Sequence, residues 1–343
     1  MEKVNIVMVG FGRVGQAFFD LLQSKYDYCR RRYGLFLEPR GIVRKKGSIL
    51  LSSTQRVLSP SYFATDDLHD LAEWIPAITL ADLLDEFGSG VLVECTPTDL
   101  KTGEPGLSHI KMALEKGWHV ATASKGALVV QSSQLKSLAK EKNLLIKASG
   151  ATAAALPALD LGLYSLAGAE ILAIEAILNG TTNYILTRMA EGFTYKKALE
   201  EAQQKGIAEP DPSLDVEGWD TAAKIVLIAN QVLGTDFNLG DVQVRGIQGI
   251  SREVIEKARK LNKVLKLFGK CYREGSDSPW KIEVGLALLD DDHPLARING
   301  TNKGIIFYTD TMGWVATSGG KSDPRGAAAA MLKDIISIYW RNT

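Results

Sequence analysis

KVNIVMVGFGRVGQAFFDLLQ, residues 3–23, reads as three pieces in a row. Lys3–Gly10 is an apolar run of the length of a buried strand, and QAFFDLLQ places apolar residues at helical spacing. Between them Gly10-Phe11-Gly12-Arg13-Val14-Gly15 fits G-x-G-x-x-G. The first glycine permits a tight turn. The second lets main chain approach a pyrophosphate, and the third lets helix pack on strand. The N–H groups that open the helix are then free for phosphate. Glycine turns are common, so the motif gains its weight from its place at the start of an alternating domain.

That alternation continues outward. GLFLEPRGIV (34–43) reads as a second strand and LADLLDEF (80–87) as a helix. GVLVECTP (90–97) is a strand stopped by proline, and SHIKMALEKG (108–117) a helix stopped by glycine. HVATAS (119–124) and LLIKAS (144–149) are strands around the helix QSSQLKSLAKEKN (131–143). A polar stretch with LSSTQ and SPS, ending near residue 61, reads as loop. The pattern predicts an α/β fold, a Rossmann-like doubly wound parallel sheet through about residue 148. Beyond it the texture changes. Helices are expected over 195–206, 215–234 and 253–270, antiparallel strands over 281–289 and 304–319, and a last helix over 323–340. The expected domains are 1–148 with 318–343, for dinucleotide, and 149–317, an α+β lobe for substrate binding and dimerisation.

Lysine plus arginine equals aspartate plus glutamate at 40 each, which removes any global electrostatic reason to bind nucleic acid or an anionic membrane. No run reaches the roughly 18 apolar residues of a membrane span. Cys29, Cys95 and Cys271 form no metal-type pair and suit a reducing compartment. His69, His109, His119 and His293 have no metal-ligand spacing. The start MEKVNIVMVG enters a strand at once, so no signal peptide is expected and the reading is cytoplasmic.

After the second strand stand Arg44, Lys45, Lys46 and Gly47, with no carboxylate to hold a ribose hydroxyl. Three adjacent cations suit a 2′-phosphate, so NADP is favoured over NAD; the bland alternative is a solvated basic loop. Lys125 follows a strand at the ligand-binding edge of such a sheet. Residues 208–224 read AEPDPSLDVEGWDTAAK. Asp215 is placed to cap a helix, Asp220 and Lys224 share a face four residues apart, and Glu217 precedes Asp220 by a turn. Two readings stay open. One is an exposed, salt-bridged helix. The other is a partly buried acidic pocket whose lysine works as acid, base and substrate anchor, since Glu209, Asp211 and Asp215 crowd the turn and IVLIA follows Lys224.

GFGRVG at 10, ATASKGAL at 121, ILNGTTNYIL at 177, ALEEAQQKGIAEPDPSLDVEGWDTAAKI at 198 and HPLARINGTNKGI at 293 together resemble homoserine dehydrogenase along nearly the whole chain. The resemblance implies NAD(P)-dependent interconversion of L-homoserine and L-aspartate 4-semialdehyde, on the route to threonine and methionine, by a homodimer. It implies Lys224 as the proton donor and Lys125 between nicotinamide and substrate. Asn179, Gly180, Thr181, Glu209, Asp215 and Asp220 become substrate contacts. Thr96, Pro97 and Gly326 join Gly10–Gly15 as cofactor contacts. Many relatives hold a sodium-type ion at the domain junction. Here the carbonyls of Thr152, Ala154 and Leu156 can still serve such an ion, but Ser149 stands where the family glutamate aligns. Ser124 replaces the usual asparagine before Lys125, and SDPRGAAAA replaces a glycine-alanine-glycine turn. An ACT-type regulatory domain or a fused aspartate kinase is not expected in this length. Two rivals remain: an aldehyde dehydrogenase using Cys95 as nucleophile, and a non-catalytic dinucleotide-binding redox sensor.

Overall fold

The computed structural model describes residues 2–45, 47–51, 62, 71, 73–275, 278–320 and 323–340. Lys46, His69 and the loop expected through LSSTQ and SPS beyond Leu51 lie outside the described residues. Two compact units emerge: Met1–Ala155 with Asp323–Thr343, and Leu156–Ser322.

In the first unit, strand β1 (Glu2–Val9) leads through the glycine loop into helix α1 (Arg13–Tyr33) and back into β2 (Leu35–Arg44). There follow β3 (Gly47–Leu50), β4 (Trp74–Ile75), α2 (Leu80–Phe87), β5 (Val91–Glu94), α3 (Gly106–Glu115) and β6 (His119–Thr122). Helices α4 (Gly126–Val130) and α5 (Ser132–Glu141), strand β7 (Ile146–Lys147) and helix α6 (Ser149–Thr152) complete this stretch. The sheet order is β4-β3-β2-β1-β5-β6-β7. β1 pairs in parallel with β2 and β5, β5 with β6, and β6 with β7. β3 and β4 extend the edge antiparallel. The doubly wound sheet is thus as the sequence predicts, with two short strands beyond β2 that it did not reveal. Ile6, Val7 and Met8 are fully buried, as strands covered on both faces must be. The chain returns to this unit as the last helix, α13 (Pro324–Tyr339). Asp323 caps it by accepting from the Gly326 N–H at 2.7 Å, with proline in the first turn. Its Ala328, Met331 and Ile335 pack into the core that holds Phe18 and Phe19 of α1.

The second unit runs α7 (Ala158–Asp160), β8 (Ile171–Ile177), α8 (Gly180–Ala190), α9 (Tyr195–Gln204), α10 (Ser213–Val216), α11 (Trp219–Val232), β9 (Gln243–Val244), α12 (Arg252–Lys260), β10 (Lys263–Tyr272), β11 (Lys281–Asp290), β12 (Lys303–Thr309) and β13 (Trp314–Gly319). The strands order as β13-β12-β8-β10-β11-β9. α11 lies against one face: a Cβ at Gly269 would come within 3.0 Å of Ile225, so glycine is what lets the helix approach. The other face carries Phe268, Leu289, Leu295 and Ile306.

Two local expectations are corrected. Residues 253–270 are not one helix: α12 stops at Lys260, Asn262 takes φ 53°, and β10 begins. Lys263, Lys266 and Lys270 mimic a helical face, but Lys266 is 1% exposed and Lys270 pairs across the sheet with Glu175 at 2.9 Å. Asp215 does not cap the long helix. Gly218, at φ 92°, interrupts 215–234 between α10 and α11, and a Cβ there would lie 3.1 Å from Val244 and 3.2 Å from Val284.

Candidate active site

In the first unit the sequence-chosen residues gather at the C-terminal edge of the parallel strands. Gly10 takes φ 82°, and a Cβ on it would lie 2.7 Å from the Cys95 carbonyl and 2.8 Å from Thr96 N. Gly15 allows no side chain either, since its Cβ would meet Gly10 O at 2.5 Å. Gly12 differs: nothing lies within 4 Å of its Cβ position. As N-cap of α1 it makes no side-chain bond to the first-turn N–H groups. An open space beneath uncapped donors is what a pyrophosphate requires, so these residues fit a dinucleotide. Gly10 N donates to Val43 O at 3.1 Å, which puts Arg44 and Lys45 beside the loop, in the hairpin where Arg44 pairs with Gly47. Thr96 N and its hydroxyl both donate to Glu94, which is fully buried and also accepts from Thr122 Oγ1 at 3.1 Å. Exposed Pro97 follows. Lys125 is the N-cap of α4, its N–H donating to Thr98 Oγ1 at 3.2 Å. Arg325 pairs with Asp20 of α1 at 2.7 Å, bringing Gly326 alongside that helix.

In the second unit a cluster forms around one amide. Asn179 caps α8 through its Oδ1, which accepts from Thr182 N at 2.9 Å. Its Nδ2 donates to Asp215 at 2.6 Å and to Asp220 at 2.8 Å. Lys224 Nζ donates to Asp220 at 2.5 Å and to the Leu178 carbonyl at 3.0 Å. The Asp220 and Lys224 side chains are only 14% and 17% exposed, so this is not the solvated ion pair of the bland reading. Burial pushes the Asp215 carboxyl above its ordinary range, and the neighbouring Asp220 charge adds to that. Gly180 sits too close to Thr301 O for a side chain, and Thr181 donates to Ile207 O at 3.1 Å. A cation held by a carboxylate and a carbonyl can give a proton to one polar group, and the second carboxylate beside it can bind an ammonium.

Comparison with known proteins decides which chemistry this is. Residues 157–336 match the family model described as homoserine dehydrogenase, and residues 10–147 match its NAD binding domain. The chain belongs to the homoserine dehydrogenase family. It is 35% identical to the homoserine dehydrogenase of Methanocaldococcus jannaschii, over 98% of each chain. It is 33% identical to the NAD(+)-dependent homoserine dehydrogenase of Pseudomonas canavaninivorans, over 99% of this chain and 97% of that one. Among solved structures, a hyperthermophilic archaeal homoserine dehydrogenase mutant in complex with NADPH superposes with a TM-score of 0.82 at 27% identity, covering 98% of this chain and 97% of that one.

As a homoserine dehydrogenase, the protein is an NAD(P)-dependent oxidoreductase acting on a small molecule. Among the described residues no helix is long and apolar enough to cross a membrane. Not every residue chosen from sequence joins a cluster. Glu209 is exposed, and its carbonyl accepts from Gln203 at 3.3 Å. Burial drives the Cys95 thiol well above its usual range, the opposite of what a nucleophile needs. Ser149 is engaged by side chains of the last helix: its N–H and hydroxyl donate to Asp334, and Lys333 Nζ lies 2.9 Å from its Oγ. Sequence reasoning passed over Glu94 and Lys303. Glu94 reads as an ordinary strand residue and Lys303 as the residue before a strand, and only tertiary burial marks them, at 0% and 3% exposed.

Proposed function

We propose that the first unit binds NADP through Gly10–Gly15, Arg44, Lys45, Thr96, Pro97, Lys125 and Gly326. The second binds the substrate's amino acid end and handles its proton. The observation that carries this is the Lys224 ammonium, held by Asp220 and the Leu178 carbonyl inside a carboxylate cluster. The nicotinamide, when bound, gives or takes a hydride at the substrate's terminal carbon. Lys224 supplies a proton to the aldehyde oxygen as that oxygen gains charge, and takes it back in the oxidative direction. Asp220 holds the ammonium in place, and Asn179 holds Asp220. Asp215, which shares the Asn179 amide, faces the substrate ammonium with Asp220. Gly180 and Thr181 shape the turn against which the substrate lies.

Ser149, Asp334 and Lys333 argue against a carboxylate-held cation at the 149–156 turn, because an ammonium already stands beside Ser149. The Leu156 carbonyl is also engaged, by Ala158 N at 2.8 Å. No step here runs through such an ion. The reading includes a cytoplasmic setting, a role in threonine and methionine synthesis, and a homodimer. A sedimentation mass of one 37.3 kDa chain would remove the dimer.

The preference for NADP rests on this chain's own turn, since one relative is named NAD(+)-dependent and one structural neighbour was solved with NADPH. Arg44→Ala is expected to raise KM for NADP about 10–100-fold, the value of a lost charge-assisted contact, and to leave NAD nearly unchanged. Equal losses with both dinucleotides would assign Arg44 to the hairpin rather than to the 2′-phosphate.

A further inference from the structure

β12 opens on Lys303, which is 3% exposed. Its register places it at the substrate cluster. Gly304 pairs with Ile177 and Ile305 with Ala176, so the next rung sets Lys303 across from Leu178. The Leu178 carbonyl is the one that accepts from Lys224. Side chains alternate along a strand, so Lys303 projects to the same face as Ile305. That face belongs to α11: Ala176 pairs with both Ile305 and Gly269, and Gly269 is the residue that lets Ile225 approach. Lys303 and Lys224 therefore serve one side of the sheet, at one end of β8.

We propose that Lys303 is a positioning residue for the substrate ammonium: by holding or releasing its proton it sets the net charge of the Asp215–Asp220–Lys224 cluster, and with it the affinity for L-homoserine. The proposal rests on the functional reading above. With Lys303 protonated beside Lys224 and Asp220, the two carboxylates Asp215 and Asp220 are matched by two ammonium groups and the cluster is balanced. With Lys303 neutral, one negative charge is left over for the substrate.

Burial pushes Lys303 down to about 7; the Lys224 ammonium acts in the same direction, and Asp220 opposes it. Those two charges both come from α11. β8 and the link after it bring Ala176 and Leu178 to this end, and β13 pairs Gly319 with Lys303, none of them titratable. The sign follows. Below about pH 7 Lys303 is an ammonium and substrate binds weakly. Above it Lys303 is an amine and binding strengthens.

The test is KM for L-homoserine between about pH 6 and pH 8, at saturating dinucleotide, for the parent and for Lys303→Met, Lys303→Gln and Lys303→Arg. The parent KM is expected to fall on the order of tenfold across that range. Both neutral variants should hold the low KM throughout and keep the parent kcat within a few-fold, and either suffices if the other does not fold. Lys303→Arg should hold the high KM. Neutral variants that keep the parent's pH dependence overturn the proposal. So does a pH-independent collapse of kcat and KM together, which would mark Lys303 as structural. A parent protein that never oxidises L-homoserine removes the functional reading and this proposal with it. An active parent with unaltered variant profiles removes this proposal alone.

Discussion

Lys224→Met is expected to lower turnover of L-homoserine about 10²–10⁴-fold, the usual contribution of a positioned proton donor or acceptor. Dinucleotide affinity should stay within about twofold, since the dinucleotide residues belong to the other unit. Methionine keeps the length of the stem, so the cavity left is small. Asp220 loses a bond but keeps the one from Asn179. The expected stability loss is about 1–3 kcal/mol, which a folded chain tolerates. Stopped turnover with dinucleotide binding intact marks a group in the chemistry. Equal loss of both would make Lys224 a structural cation, and the proton would need another source.

Gly12→Ala is the second large effect, and it separates binding from folding. Gly12 has φ −74° and ψ −162°, a conformation alanine adopts freely, and its Cβ would meet nothing within 4 Å. Thermal stability should change by less than about 0.5 kcal/mol. Dinucleotide affinity should drop on the order of 100-fold, because the new methyl fills the space where main chain approaches the pyrophosphate. Gly10→Ala and Gly15→Ala are poorer probes. The first needs φ 82°, and both drive a Cβ to 2.7 Å or less from main chain, so they disturb the turn itself. Calorimetric titration with NADP against an unchanged melting temperature is the measurement. Unaltered affinity in Gly12→Ala would mean that the loop is only a strand-to-helix turn.

The first unit was legible because its strands are buried on both faces and therefore spell continuous apolar runs. β3 and β4 escaped because strands of four and two residues carry little apolar signal. The second unit was harder. Residues 263–270 were expected to continue a helix, and Lys263, Lys266 and Lys270 do stand at helical spacing. In fact Lys266 is buried and satisfied by Asn183 at 3.1 Å, Asn299 at 2.9 Å and the Ile298 carbonyl. Those partners lie 33 or more residues away except the carbonyl, which is 32 away, so no local window reveals them. The Asp220–Lys224 pair was readable because four residues make one helical turn. The Asn179 amide that joins Asp215 to Asp220 was not, since its partners are 36 and 41 residues away. The same holds for Lys303, whose role depends on strand register.

The proposed reaction is hydride transfer between the nicotinamide and the terminal carbon of the substrate. Its most direct measurement is mass analysis of the product after L-aspartate 4-semialdehyde is incubated with the protein and NADPH dideuterated at the nicotinamide C4. L-homoserine one mass unit heavier is expected, with the deuterium on its terminal carbon. Product without deuterium, or a bound but unreacted dinucleotide beside intact aldehyde, would contradict it.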